Sequence, residues 1–277
     1  MSLHQIIVLS EVLTTLAYAA VAFVYAMAYY RDAKPFNDLR APLLYAALGL
    51  HFIFIGAWSM EMRRCLVTNV FEVMTLLAFI ITFIYVVLER VTKTSSSGFF
   101  ILPIVFVLQL VSALFLSLDG GAVNSIFLSV PVNVHVTTAL FGYAALAMAG
   151  TYGAMYLLLF RSIKSNSFGT VFERLPSLAH LEQMSLVSVR FGLAFLAVTI
   201  LVGIVWLPAD VKDFSYSDPK FLVTVCLWLV YFGGLLARRF ARWEGKRLME
   251  ISMYGFLAAL FSLTIINFFF SGFHKFL

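Results

Sequence analysis

Eight apolar stretches of about twenty residues, each closed by a polar or basic break, constrain this chain more than any other feature. They run over roughly 5–30, 41–61, 66–88, 98–118, 134–160, 188–208, 220–238 and 250–272. A helix needs about 20 such residues to cross a hydrocarbon core, where only helices and closed barrels satisfy their own backbone. Composition agrees: 62% of the 277 residues are hydrophobic and 12% are charged, against roughly 45–50% and 25% in a soluble domain. The expected fold is all-α: a polytopic membrane helix bundle of about eight transmembrane helices, forming a single membrane domain over 1–277. The lipid bilayer is then its first partner.

A net charge of +5 would suggest nucleic acid in a soluble chain. Here the basic residues lie between apolar stretches and read as topology signals, so no nucleic-acid partner is expected. Arg31, Lys34 and Arg40 follow the first stretch. Arg90 and Lys93 follow the third, Arg161, Lys164 and Arg174 the fifth, and Arg238, Arg239, Arg242, Lys246 and Arg247 the seventh. The intervening loops carry fewer, with Arg63 and Arg64 the discordant pair. This asymmetry predicts that the basic loops are cytoplasmic and both termini extracytoplasmic. The first stretch has no basic residue before it and is too long for a signal-peptide core, so it is expected to remain as a helix. Cys65 and Cys226 form no CxxC pair and argue for no disulfide framework.

Chemistry-bearing residues are few. His135 opens the fifth stretch and His274 ends the eighth, at one depth on the outer side. Neutral imidazole is a common metal and heme-iron ligand. Two such rings suit an iron between them, or simply snorkel at the headgroups, and spacing alone favours the second reading. His51 lies about ten residues into its stretch, near mid-membrane at ~1.5 Å per residue. An ionisable group there is a functional candidate by default, or a neutral ring bonded to a neighbouring helix. Glu11 and Glu72 sit one to two turns below the outer surface, either paired with Arg63 or Arg64 or lining a polar cavity. Trp206, Phe214, Tyr216 and Asp218 crowd the loop between the sixth and seventh stretches, as an aromatic shelf or an ordinary interfacial belt. The 161–190 loop contains Phe172 to Glu182, readable as a short surface helix or a linker. No phosphate loop, nucleophile elbow or zinc-spaced cluster occurs.

Residues 130–277 carry a set of short motifs in a fixed order. These are Val134-His135-Val136 with Phe141 and Tyr143, then Leu175-Pro176-Ser177-Leu178 with Glu182, then Gly203 with Trp206. Asp218-Pro219-Lys220, Trp228 with Tyr231 and Arg238, Arg242-Trp243 with Gly245 and Arg247, and Ser271-Gly272-Phe273-His274 follow. In this order they resemble the cytochrome c assembly protein family, which includes CcsA-type synthase subunits and HemX-like and YpjD-like proteins.

The resemblance implies a heme-handling protein of a bacterial-type cytoplasmic (inner) membrane. It would bind heme b at an outer-face cavity, with His135 and His274 as axial ligands and Trp206, Phe214, Tyr216 and Asp218 around the porphyrin. His51 would be a further heme-binding histidine within the membrane. Partners would be other cytochrome c assembly or tetrapyrrole-synthesis proteins, and the chain would be no enzyme on its own. The alternative implied is a HemX-like regulatory or scaffolding protein without heme, or a subunit of a larger membrane complex. The chain departs from the family pattern at two places. Leu236 stands where a span-seven histidine is expected, and Phe214, Tyr216 and Phe221 stand where the family's loop has its tryptophans and final glutamate.

Overall fold

A computed structural model describes residues 2–63, 69–115, 129–166, 168–206 and 216–261. Helices α1 (Leu3–Arg31), α2 (Lys34–Met62), α3 (Val70–Thr92) and α4 (Gly98–Phe115) are followed by α5 (Val130–Lys164) and the short α6 (Thr170–Arg174). The last three are α7 (Leu178–Val205), α8 (Pro219–Phe240) and α9 (Lys246–Phe261). Among the described residues, seven helices are long and apolar enough to cross a membrane. The eighth expected span begins as α9, and its remainder lies outside the described residues.

Local chemistry sets the helix boundaries. Ser2 and Gln5 form a reciprocal cap, with the Ser2 hydroxyl accepting from the Gln5 N–H and the Gln5 amide oxygen accepting from the Ser2 N–H. Asn69, Ser129, Ser177 and Asp218 each accept a backbone N–H from the first turn of the helix they precede. Prolines stand at the first positions of α2, α5 and α8, where no intrahelical N–H is needed.

Two expected boundaries are corrected. α2 starts at Lys34 rather than 41, because its polar first turns carry helix-compatible residues behind Pro35. The expected 161–190 loop contracts to 165–177. Arg161 to Lys164 continue α5, and the Ser177 cap starts α7 at Leu178, absorbing Leu178 to Glu182.

The chain divides into two compact units, Met1–Val123 and Asn124–Leu277. In the first, α1 packs on α2 and α4, and α3 packs on α4 and α2. Its polarity is inverted relative to a water-soluble bundle. His51, Thr14, Thr75 and Gln109 are wholly buried, while Phe52 is 66% exposed. Lipid solvates the apolar exterior, so polar groups turn inward to find partners. Arg40 bonds the Ser95 hydroxyl and Arg90 bonds the Tyr45 hydroxyl, which gathers the basic residues at one end of this unit.

In the second unit α5 packs on α7 and α9, and α8 on α7 and α9. Close approach depends on glycine at particular points. A Cβ on Gly153 would stand 2.8 Å from the Met249 carbonyl oxygen, so nothing larger fits between α5 and α9. Polar bonds stitch the same helices: Ser185 donates to the Ala149 carbonyl, Trp228 Nε1 to the Leu193 carbonyl, and the Tyr231 hydroxyl to the Ser252 carbonyl.

Candidate functional site

His135 projects from the second turn of α5 toward α7, half-buried, with Nδ1 3.0 Å from the Thr199 carbonyl oxygen. A carbonyl has no proton to give, so Nδ1–H is the donor. In the neutral ring the lone pair then resides on Nε2. A backbone carbonyl that orients the ring and fixes its tautomer in this way is the usual support of a histidine metal ligand. Thr138, one turn further along α5, meets the Thr199 hydroxyl at 2.9 Å and donates to the Val134 carbonyl. These two threonines clasp α5 to α7 beside the imidazole.

The aromatic residues occupy the same end of α7. Trp206 ends the helix as its C-terminal cap and is 52% exposed. The Tyr216 hydroxyl donates to the Ile204 carbonyl at 3.4 Å, which holds Tyr216 within two residues of Trp206. Tyr216 is 53% exposed and meets Phe221 edge-on. Asp218 is buried, and its carboxylate accepts the N–H groups of Lys220 and Phe221. It caps α8. Phe214 and His274 lie outside the described residues.

His51 belongs to the first unit. Its Nδ1 lies 2.9 Å from the Tyr18 hydroxyl and its Nε2 2.9 Å from the Thr75 hydroxyl. Thr75 passes its own proton to the Gln109 amide oxygen at 2.7 Å. Thr75 therefore accepts from His51, and Tyr18 donates to it, fixing Nε2–H as the tautomer. Both ring nitrogens are thus engaged, in a pocket that excludes solvent. Glu72 is wholly buried in the first turn of α3. Glu11 is also buried, with Oε1 lacking a hydrogen bond. Arg63 ends α2 in a left-handed conformation, and Arg64 lies outside the described residues.

Sequence reasoning missed several functional-looking contacts. Tyr18, Thr75 and Gln109 surround His51 from three different helices. The Tyr25 hydroxyl donates to Glu89 Oε2 at 2.6 Å across α1 and α3. Near the basic end of the second unit, Arg238 pairs with Glu182 at 3.2 Å while the Gly245 N–H donates to the same carboxylate. The one available signal was the recurrence of tyrosine at Tyr18 and Tyr25, seven residues apart on one face of an apolar helix.

The cytochrome c assembly protein model matches residues 67–274. The chain belongs to this family. Its relatives include Protein HemX of Brevibacillus brevis, 26% identical over 92% of both chains, and Protein HemX of Bacillus subtilis, 21% identical over 94% of this chain and 92% of that one. The cytochrome c biogenesis protein CcsA of Mesostigma viride is 23% identical over 97% of this chain and 98% of its own. The match to the family runs from before α3 to beyond α9, so it takes in His135 and the loop that Trp206 and Tyr216 flank. A cytochrome c assembly protein with seven described membrane-crossing helices is a multi-pass membrane protein.

Proposed function

We propose that this family member handles heme in cytochrome c assembly or heme homeostasis, holding it at the end of the second unit opposite Arg238, Arg242 and Arg247. The supporting observation is the His135 ring, which the Thr199 carbonyl holds through Nδ1 toward the end of α7 that carries Trp206 and Tyr216. His135 would be one axial ligand. His274 is proposed as the other, from the family resemblance alone.

The exposed faces of Trp206 and Tyr216 would cover porphyrin surface, each ring adding stacking to the area it buries. Asp218, whose carboxylate is engaged in capping α8, would support this end rather than touch the ligand. Heme b would supply an iron whose potential the axial ligands set, and its delivery to a partner protein would be this chain's task. On this reading the basic ends face the cytoplasm of a bacterial-type inner membrane, and other assembly or tetrapyrrole-synthesis proteins are the partners.

Hemin titration of the detergent-purified protein tests the reading. Wild type is expected to show a saturable Soret shift that weakens at least tenfold in affinity with His135→Ala, about 1.4 kcal/mol. Equal affinity in the two proteins would reject His135 as ligand. HemX-named relatives cover as much of the chain as CcsA-named ones. That favours, as second reading, a regulator whose partners bind the 165–177 connector, and unchanged partner capture after replacing that connector would reject it.

A further inference from the structure

We propose that the first unit carries a proton path across the membrane, independent of heme binding in the second. Inward-facing groups on one face of α3 mark its course: Glu72, Thr75, Thr82, Tyr85 and Glu89. Thr75 and Thr82 are seven residues apart, about 10 Å along the axis. The side chains of His51 and Tyr18 bridge that interval. His51 bonds Thr75 through Nε2 and the Tyr18 hydroxyl through Nδ1, and the Tyr18 hydroxyl also reaches Thr82. One turn further, the Tyr25 and Tyr85 hydroxyls both meet the Glu89 carboxylate, with Arg40 close by. Glu89 is half-buried and faces the basic end of the unit. Glu11 and Glu72 stand at the opposite end, with Thr14 between Glu11 and Tyr18 on α1.

Glu11 Oε1, Thr14 Oγ1 and Gln109 Nε2 are buried without a hydrogen bond. Buried polar atoms left so are costly, and bridging water is the ordinary remedy in a polar cavity. Water there would complete the two intervals that side chains leave, from the Glu11 and Glu72 end to Thr75 and from Thr82 to Tyr85.

The chemistry of the members suits a relay. Hydroxyls and imidazole both accept and donate. When a proton arrives at one end, each member takes a proton on one side and releases its own on the other. His51 gains a proton at Nδ1 as it gives up the one on Nε2, or the reverse. The far carboxylate takes the relayed proton and releases it, so every group ends in the protonation state in which it began, and the ring and hydroxyls turn over to reset. Only O–H and N–H bonds are exchanged, and no oxidant or reductant is consumed.

The test is proton flux into proteoliposomes of the full chain, read by an internal pH dye under a potassium diffusion potential. Wild type is expected to acidify the lumen faster than protein-free vesicles. His51→Phe, which fills the ring's space without relaying, and Glu89→Gln are expected to fall to the protein-free rate. Tyr45→Phe, outside the path, should keep the wild-type rate. Where His51→Phe does not yield monodisperse protein, Thr82→Val replaces it, with the same expected loss. Wild-type flux equal to that of empty vesicles overturns the proposal, and so does wild-type flux in folded His51→Phe, Thr82→Val and Glu89→Gln.

Discussion

Tyr18→Phe tests how the first unit is held together. The substitution removes one hydroxyl and leaves the ring in place, so packing changes little. It deletes the 2.9 Å bond to His51 Nδ1 between two residues that are 0% exposed, so bulk solvent does not reach the lost partner. A buried acceptor left unsatisfied costs about 1–3 kcal/mol, roughly 5- to 150-fold in the folding equilibrium. Inside a membrane the unfolded reference also finds partners, and measured side-chain bonds average only about 0.6 kcal/mol. The expected loss is therefore about 1 kcal/mol, at the lower end of the first range. SDS-induced unfolding in mixed micelles reads it as a shifted midpoint. Tyr216→Phe is the control, since its 3.4 Å bond lies at an exposed position and should cost about nothing measurable. A Tyr18→Phe midpoint equal to wild type, or a Tyr216→Phe loss as large, would refute the claim that the His51 network stabilises this unit.

Other expectations follow from single contacts. Gly153→Ala forces a methyl against the Met249 carbonyl and should destabilise the second unit by about 1–3 kcal/mol in the same unfolding assay. Gly245→Ala places a β-carbon at φ +60 and 2.7 Å from the Tyr156 hydroxyl; a loss of about 1–2 kcal/mol is expected, and a neutral result would contradict the assigned turn. Trp206→Ala should weaken hemin binding by about 0.5–1.5 kcal/mol or more, measured by titration, while leaving the unfolding midpoint unmoved because the ring is half exposed. Tyr216→Cys should react with a membrane-impermeant maleimide added to intact cells, and Lys164→Cys should not; the reverse pattern would overturn the orientation inferred from the basic loops.

The bundle was legible in the sequence because lipid leaves so few options. Long apolar stretches with polar punctuation map onto helices, but the starts of α5 and α7, read at 134 and 188, lie earlier, where Ser129 and Ser177 cap the helices. The start of α2 was not legible. Lys34 to Arg40 read as a loop by polarity, although Pro35 at the first turn is a helix-start signal. Of the candidate site, His135 was legible as a residue but not in its role as a held ring. Its partner is a backbone carbonyl 64 residues away, and every residue type supplies one. His51 stood out as an ionisable group in an apolar run. Its partners did not, because Tyr18 and Thr75 are ordinary membrane-helix residues until three helices bring them together. Phe214 and His274 fall outside the described residues, so their part in the site stays a proposal from resemblance.

The heme reading turns on His135 as an iron ligand. The absorption spectrum of the protein purified from heme-replete cells tests it most directly. Wild type is expected to show a Soret band that is shifted or diminished in His135→Ala and lost when His135 and His274 are both alanine. A wild-type spectrum without a Soret band, or a band that survives unchanged in the double variant, would contradict it.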